Sequence, residues 1–104
     1  MRRGEVWWAE SPATGGGRPV VLLSRDEAYA IRALVTIAPV TTRIRSLPVE
    51  VTLGPQDGLD RACVANLDTI TTISKGALTR RIARLSPAKV GEVEVALKFA
   101  LGLD

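Results

Sequence analysis

The stretch Arg3–Ser24, RGEVWWAESPATGGGRPVVLLS, decides how the rest of the chain is read. Glu5 to Ala9 has the composition of a first strand. Pro12 and the run Gly15-Gly16-Gly17 interrupt it with a polar, glycine-rich loop. Pro19 to Leu23 is then continuously apolar and rich in valine, the pattern of a strand buried on both faces or across an interface. Arg18 stands where the loop re-enters the fold, with its backbone anchored at one end and its guanidinium free to face a ligand at the other. Trp7 and Trp8 are adjacent, so a strand points them to opposite faces. One belongs to the core. The other, Trp8, can stack on a nucleobase, a contact worth about 1–3 kcal/mol in single-strand binding, although packing alone accounts for either ring. The glycine triplet is too short and wrongly flanked for a phosphate-cradling P-loop, and a mobile loop is the simpler reading.

Beyond this stretch, Ser24-Arg25-Asp26-Glu27 has the form of a capping box opening a short helix that runs to about Ile31. Leu34 to Val40 is another apolar strand, and Pro48 to Leu53 alternates like a half-exposed one. Gly54-Pro55-Gln56-Asp57-Gly58 is dense turn chemistry. Ala62 to Ala65 and Thr69 to Ile73 are two further short strands, with Asn66-Leu67-Asp68 between or within them, and Ile82 to Leu85 is one more. The terminal helix is the clearest element. Ser86 caps it, Pro87 takes its first position, and Gly102 supplies a left-handed stop. Val90, Val93, Leu97 and Leu101 form its apolar stripe, and Glu94 precedes Lys98 at the spacing of a favourable ion pair. That stripe covers the body of the fold or continues into a partner subunit. The inventory is mainly β with α: an SH3-like small barrel with a short internal helix and a C-terminal helix.

Composition bounds the function. At 104 residues, 46% apolar and 24% charged, the chain has the means to form one domain over residues 1–104, with a radius of gyration of about 13 Å. No run approaches the roughly 20 apolar residues that cross a bilayer, and Met1-Arg2-Arg3-Gly4 lacks the apolar stretch of a signal peptide. A cytoplasmic protein is expected. The single cysteine and the absence of histidine argue against an internal disulfide or a zinc site, so neither metal nor cofactor is expected. The net charge of +3 is uneven. Residues 1–45 carry seven arginines against four acids, residues 46–74 one against four, and residues 75–104 six basic residues against three acids. Basic surface near both ends suits a polyanion bound on part of the surface. Arginine outnumbers lysine eleven to three, which favours phosphate but also follows from GC-rich coding.

The order Arg-Gly-acid-hydrophobic-Trp, a Gly-rich loop, then Arg18-Pro19-Val20-Val21 resembles the opening of the MazF/PemK family of toxin endoribonucleases. The resemblance continues through Ala38-Pro39-Val40-Thr41-Thr42, through Val64-Ala65-Asn66-Leu67-Asp68 with Thr71-Thr72-Ile73, and through Leu85-Ser86-Pro87 to Leu101-Gly102-Leu103. It spans essentially the whole chain in order. It implies an SH3-like fold and the toxin half of a type II toxin–antitoxin pair. The implied activity is sequence-specific cleavage of single-stranded RNA by metal-independent 2′-hydroxyl attack. The products would be a 2′,3′-cyclic phosphate and a 5′-hydroxyl, and the consequence would be inhibited translation and growth. The implied partners are a second copy of the chain and a cognate antitoxin, whose inhibitory segment the basic surface makes extended and acidic.

Onto this sequence the resemblance carries Arg18 as the charge-stabilising catalytic residue, Thr41 as its partner, and Asp68 as a weaker candidate base. A turn aspartate bonding its own backbone is an equal reading of Asp68. Some family members have an arginine two residues before that acid, where this chain has Asn66. Gly17, Thr42, Arg43, Arg45, Asn66 and Trp8 are the expected substrate contacts. The first loop, Ser11 to Gly17, is shorter than usual for the family and lacks its common Gly-Ser-Glu-Gln stretch. Two rival readings exist: a non-catalytic gyrase inhibitor of the CcdB type, and an RNA-binding barrel without activity. The first relies in its family on a C-terminal Trp-Gly-Ile, whereas this chain ends Ala-Leu-Gly-Leu-Asp.

Overall fold

Valine-rich runs and tight polar turns build seven strands into one bent sheet, seen in a computed structural model that describes residues 1–103. The strands are β1 (Glu5–Ser11), β2 (Gly16–Leu22), β3 (Leu34–Thr41), β4 (Glu50–Leu53), β5 (Cys63–Asn66), β6 (Thr71–Ser74) and β7 (Leu78–Arg84). Two helices join them, α1 (Ala28–Ile31) and α2 (Pro87–Leu101). All pairings are antiparallel, in the order β4-β5-β3-β2-β1-β7, with β6 also beside β3.

The first hairpin is tighter than its glycines imply. Pro12–Thr14 is a single 3-10 turn, and the Thr14 hydroxyl bridges the Ser11 and Gly16 carbonyls at 2.9 and 2.8 Å. Gly15 and Gly16 take φ values of 78° and 100°, open to glycine at little cost. The expected loop from Ser11 to Gly17 therefore shrinks, and Gly16 and Gly17 already belong to β2.

Strand β3 is the hub. Ile37, Ala38 and Pro39 pair with Leu22, Val21 and Val20 on one side. The other side is shared: its first half pairs with β6 and its end, Val40 and Thr41, with β5. The 3-10 turn Leu67–Thr69 separates those two partners, which is why the strand expected from Thr69 begins at Thr71. The two faces of the sheet carry two apolar clusters. One joins Val6, Val21, Val40, Val51, Leu53 and Leu67 to Val93 and Ala96 of α2. The other holds Ala9, Val20, Leu22, Tyr29, Val35 and Ile37, with Trp7 packed against it. The outer strands β4 and β7 share no ladder among the described residues. The SH3-like barrel thus stays open along one seam.

Several local expectations change. The Ser24 hydroxyl does not cap α1. It accepts from the Thr36 amide at 2.8 Å and ties β2 to β3, while α1 starts at Ala28 without a side-chain cap. Glu94 reaches Arg3 at 3.3 Å instead of pairing with Lys98. Leu101, expected in the inward stripe of α2, is 52% exposed, and Ala96 fills the inner face with Val93. Strand β7 begins at Leu78, ahead of the expected Ile82. Irregularities in its pairing with β1, at Val6/Trp7 and Trp8/Ala9, break the alternation by which a strand is recognised. The caps of α2 are as expected: the Ser86 hydroxyl accepts from the Lys89 amide at 3.1 Å, and Gly102 has φ 69°.

Candidate functional site

Arg18, near the start of β2, and Thr41, the last residue of β3, stand at the ends of neighbouring strands: the β2–β3 ladder stops at Val20 and Pro39, two residues short of each. Side-chain alternation puts Arg18 on the face of Val20 and Leu22, and Thr41 on that of Ile37. Arg18 is half-buried, and its Nε is fully buried without a hydrogen-bond partner. No carboxylate pairs with it among the described residues. A buried, unsatisfied donor on a permanent cation is costly unless an anion completes it. Its terminal nitrogen lies beside Gly15, where a Cβ would come within 3.3 Å, so glycine keeps that approach open.

The Thr41 hydroxyl accepts from the Arg43 amide at 3.1 Å and starts the 42–49 loop. Thr42, Arg43 and Arg45 are exposed there. Arg45 is not a free cation. Its amide donates to one oxygen of the Glu50 carboxylate at 2.9 Å, and its Nε approaches the other at 3.4 Å. The Glu50 side chain is 2% exposed. Desolvation works to raise its pKa, but hydrogen bonds from the Arg45 and Leu47 amides, with the Arg45 charge, outweigh it and hold the carboxyl below the ordinary value.

Asn66 and Asp68 are placed differently from each other. Asn66 is buried and its carboxamide oxygen accepts from the Asp68 amide at 2.9 Å, so it caps the 3-10 turn itself. The turn-forming role considered for Asp68 falls to Asn66. Asp68 sits on that turn with its side chain exposed.

Trp8 lies on the other face of the sheet, in register with Pro19. Its indole N–H donates to Glu10 at 2.8 Å, and the Arg80 guanidinium stacks over its ring at 5.6 Å from the centroid. Gly17 is required here: a Cβ would stand 2.7 Å from the Trp8 ring and 3.0 Å from both Glu10 oxygens. Trp8, Arg80 and Ile82 form one wall of a pocket of about 250 Å³ at the open seam, and Leu59 and Cys63 lie across it. Val40 and Pro19 line it too, with Thr41, Thr42, Asp60 and Arg61. Burial, reinforced by the Asp57 carboxylate, pushes the Cys63 thiol pKa up, so it stays neutral. Asp60, Arg61 and Arg80 were not singled out in the sequence. The only available signal for Arg80 was its place across from Trp8, which required the true start of β7. No cluster of metal-ligating side chains occurs among the described residues.

Comparison with known proteins finds relatives by both sequence and fold. Residues 2–101 fit the profile of the PemK-like, MazF-like toxins of type II toxin–antitoxin systems. Over 100 residues the chain is 42% identical to the probable endoribonuclease MazF5 of Mycobacterium tuberculosis, covering 95% of this chain and 91% of that protein. It is 36% identical over 115 residues to the endoribonuclease MazF9 of the same organism, covering 99% and 98%. The solved structure of the Mycobacterium tuberculosis toxin MazF-mt6 superposes with a TM-score of 0.89 at 30% identity, covering 96% of this chain and 98% of that one. A mycobacterial endoribonuclease in complex with its cognate antitoxin gives 0.88 at 31% identity, covering 100% and 97%. The chain belongs to the PemK-like, MazF-like family of type II toxin–antitoxin toxins.

Proposed function

We propose that the chain is an endoribonuclease that cuts single-stranded RNA at specific sequences, without metal, through the RNA's own 2′-hydroxyl. The observation that carries this reading is Arg18: a half-buried cation with its Nε buried and unpartnered, on the strand that pairs with β3, which ends at Thr41. In the proposed step the 2′-oxygen attacks the adjacent phosphorus as its proton passes to a base. The P–O5′ bond breaks, and the departing 5′-oxygen takes up a proton. A 2′,3′-cyclic phosphate and a 5′-hydroxyl remain. Arg18 neutralises charge on the crowded phosphorane through its planar fork. Thr41 orients the phosphate. Asp68, exposed and free of a side-chain hydrogen bond among the described residues, is the candidate base.

The protein would work in the cytoplasm as a homodimer, with RNA along the shared surface, and its growth inhibition would be relieved by an antitoxin carrying an extended acidic segment. A relative captured with its cognate antitoxin supports that partner. The test is incubation of purified protein with a long single-stranded RNA in excess chelator, followed by end analysis. Discrete fragments with cyclic-phosphate and 5′-hydroxyl ends are expected. Intact RNA with retarded mobility would replace this reading with a binding barrel.

A further inference from the structure

We propose that the pocket at the open seam is a nucleobase subsite that prefers guanine, reached by RNA that passes around the end of β2 and β3 from the Arg18 face. The proposal rests on the nuclease reading and adds to it a base and the residues that select it.

The placement follows from strand geometry. Trp8 and Pro19 point to one side of the β1–β2 hairpin, and Ala9 and Arg18 to the other. The two regions adjoin: Thr41 lines the pocket, and so does Pro19, which directly follows Arg18. A phosphate held at Arg18 and Thr41 therefore has this pocket beside it, around the strand end. A splayed base is what such a slot takes, since single-stranded RNA is read by stacking on aromatic rings and guanidinium planes and by hydrogen bonds to base edges.

The lining fits a base better than a bare phosphate. Pro19, Val40, Leu59, Cys63 and Ile82 give it apolar walls, and the Arg80–Trp8 stack gives it a flat, cationic side. The Trp8 N–H is already committed to Glu10, so that ring offers surface and no donor. Specificity falls to Asp60 and Arg61, both exposed at the pocket, and neither takes part in an ion pair or hydrogen bond among the described residues. A carboxylate only accepts and a guanidinium only donates. Guanine alone among the four bases sets two donors side by side, N1–H and the N2 amino group, for a carboxylate. It also presents O6 and N7 to an arginine fork. Uracil offers a single imide donor, and adenine and cytosine offer one amino group and no adjacent ring N–H.

The experiment uses 2′-O-methyl hexamers, which lack the attacking hydroxyl: all-uridine, and the same with one guanosine, adenosine or cytidine. Binding is read from the Trp8 indole N–H resonance of the intact protein. The guanosine hexamer should bind roughly tenfold more tightly than the all-uridine one and move the Trp8 signal. Asp60→Asn and Arg61→Met should each bring the ratio of guanosine to all-uridine affinity towards one, a ratio that cancels the general effect of the charge change on RNA binding. Equal affinity for guanosine and uridine hexamers, or an undiminished preference in Asp60→Asn, would overturn the subsite. Mapping of cleavage ends is the independent arm: guanosine at one fixed distance from the cut, relaxed in Asp60→Asn, supports it, and no fixed guanosine refutes it. A protein that cuts no RNA would sink the nuclease reading, while the hexamer titration would still decide the pocket.

Discussion

The Thr41 hydroxyl accepts the Arg43 amide at 3.1 Å, which occupies a lone pair of the oxygen and leaves its proton free to donate to a phosphate. One side chain thus fixes the exit of β3 and orients the loop carrying Arg43, at the end of the strand that pairs with β2. Thr41→Val removes the hydroxyl at constant shape. Single-turnover cleavage should fall by about 100-fold, with a stability loss of about 1 kcal/mol from the lost loop bond. Thr41→Ser should retain most of both. Wild-type cleavage by the valine variant would remove Thr41 from the site.

Arg18→Ala should separate activity from stability. Cleavage should drop by about 100- to 1,000-fold, the scale for losing one oriented donor to a charged transition state. Thermal stability should hold or rise, because the substitution removes a buried Nε that has no partner. Arg18→Lys keeps the charge but loses the bidentate fork, so its rate should fall between the two. An alanine variant that unfolds at markedly lower temperature would make Arg18 a structural residue.

Much of this was legible in the sequence because the signals were local. The valine runs of β2 and β3, the Ser86 and Gly102 caps of α2, and the opposed faces of Trp7 and Trp8 all follow from periodicity and capping chemistry. The motif order singled out Arg18 and Thr41 as candidates, and the pairing of β2 with β3 puts their strands side by side. What stayed hidden depends on long-range geometry. Ser24 met Thr36 across a strand pair, and Glu94 met Arg3 from the far end of the chain. Both times a tertiary partner displaced the local one. The pocket is the extreme case, since Trp8, Leu59, Arg61 and Arg80 come from distant parts of the chain and converge only in the folded sheet.

Acid should destabilise the fold through Glu5 and Glu50. Burial works to raise the Glu5 pKa, but the Trp7 indole donor at 2.9 Å, the N-terminal ammonium, the Arg2 backbone and Arg81 together lower it. Both folded carboxyls thus lie below the ordinary value of 4.5. A depressed folded pKa contributes stability that is present above the unfolded value and lost as pH falls through the folded one. Melting temperature should therefore be flat near neutrality and fall below about pH 4.5. Glu5→Gln and Glu50→Gln should each start lower at pH 7 and lose less on acidification. Parallel acid limbs for wild type and both variants would discount these two carboxylates.

Assembly is tested by mass. The outward side of α2 leaves Val95 and Phe99 70% and 62% exposed, and β4 and β7 are open edges, features that a two-fold partner relieves. Light scattering should give about 22 kDa, twice the 11.1 kDa chain. A fully active monomer at micromolar concentration would dismiss the dimer.

Gly17→Ala tests whether the first hairpin controls the pocket. The backbone at Gly17 is ordinary, so the effect is steric: the new methyl would stand 2.7 Å from the Trp8 ring and 3.0 Å from the Glu10 carboxylate oxygens. Glu10 is exposed and can swing away, but doing so breaks its bond to the Trp8 indole. The ring must then tilt, and its stack with Arg80 shifts with it. The expected cost is about 1–2 kcal/mol, with a displaced Trp8 indole resonance and weakened RNA affinity. The chemical step at saturating RNA should stay within about threefold of wild type, because the new methyl meets Trp8 and Glu10 and not Arg18 or Thr41. Unchanged affinity alongside a displaced indole signal would mean that Trp8 packs the seam without touching RNA.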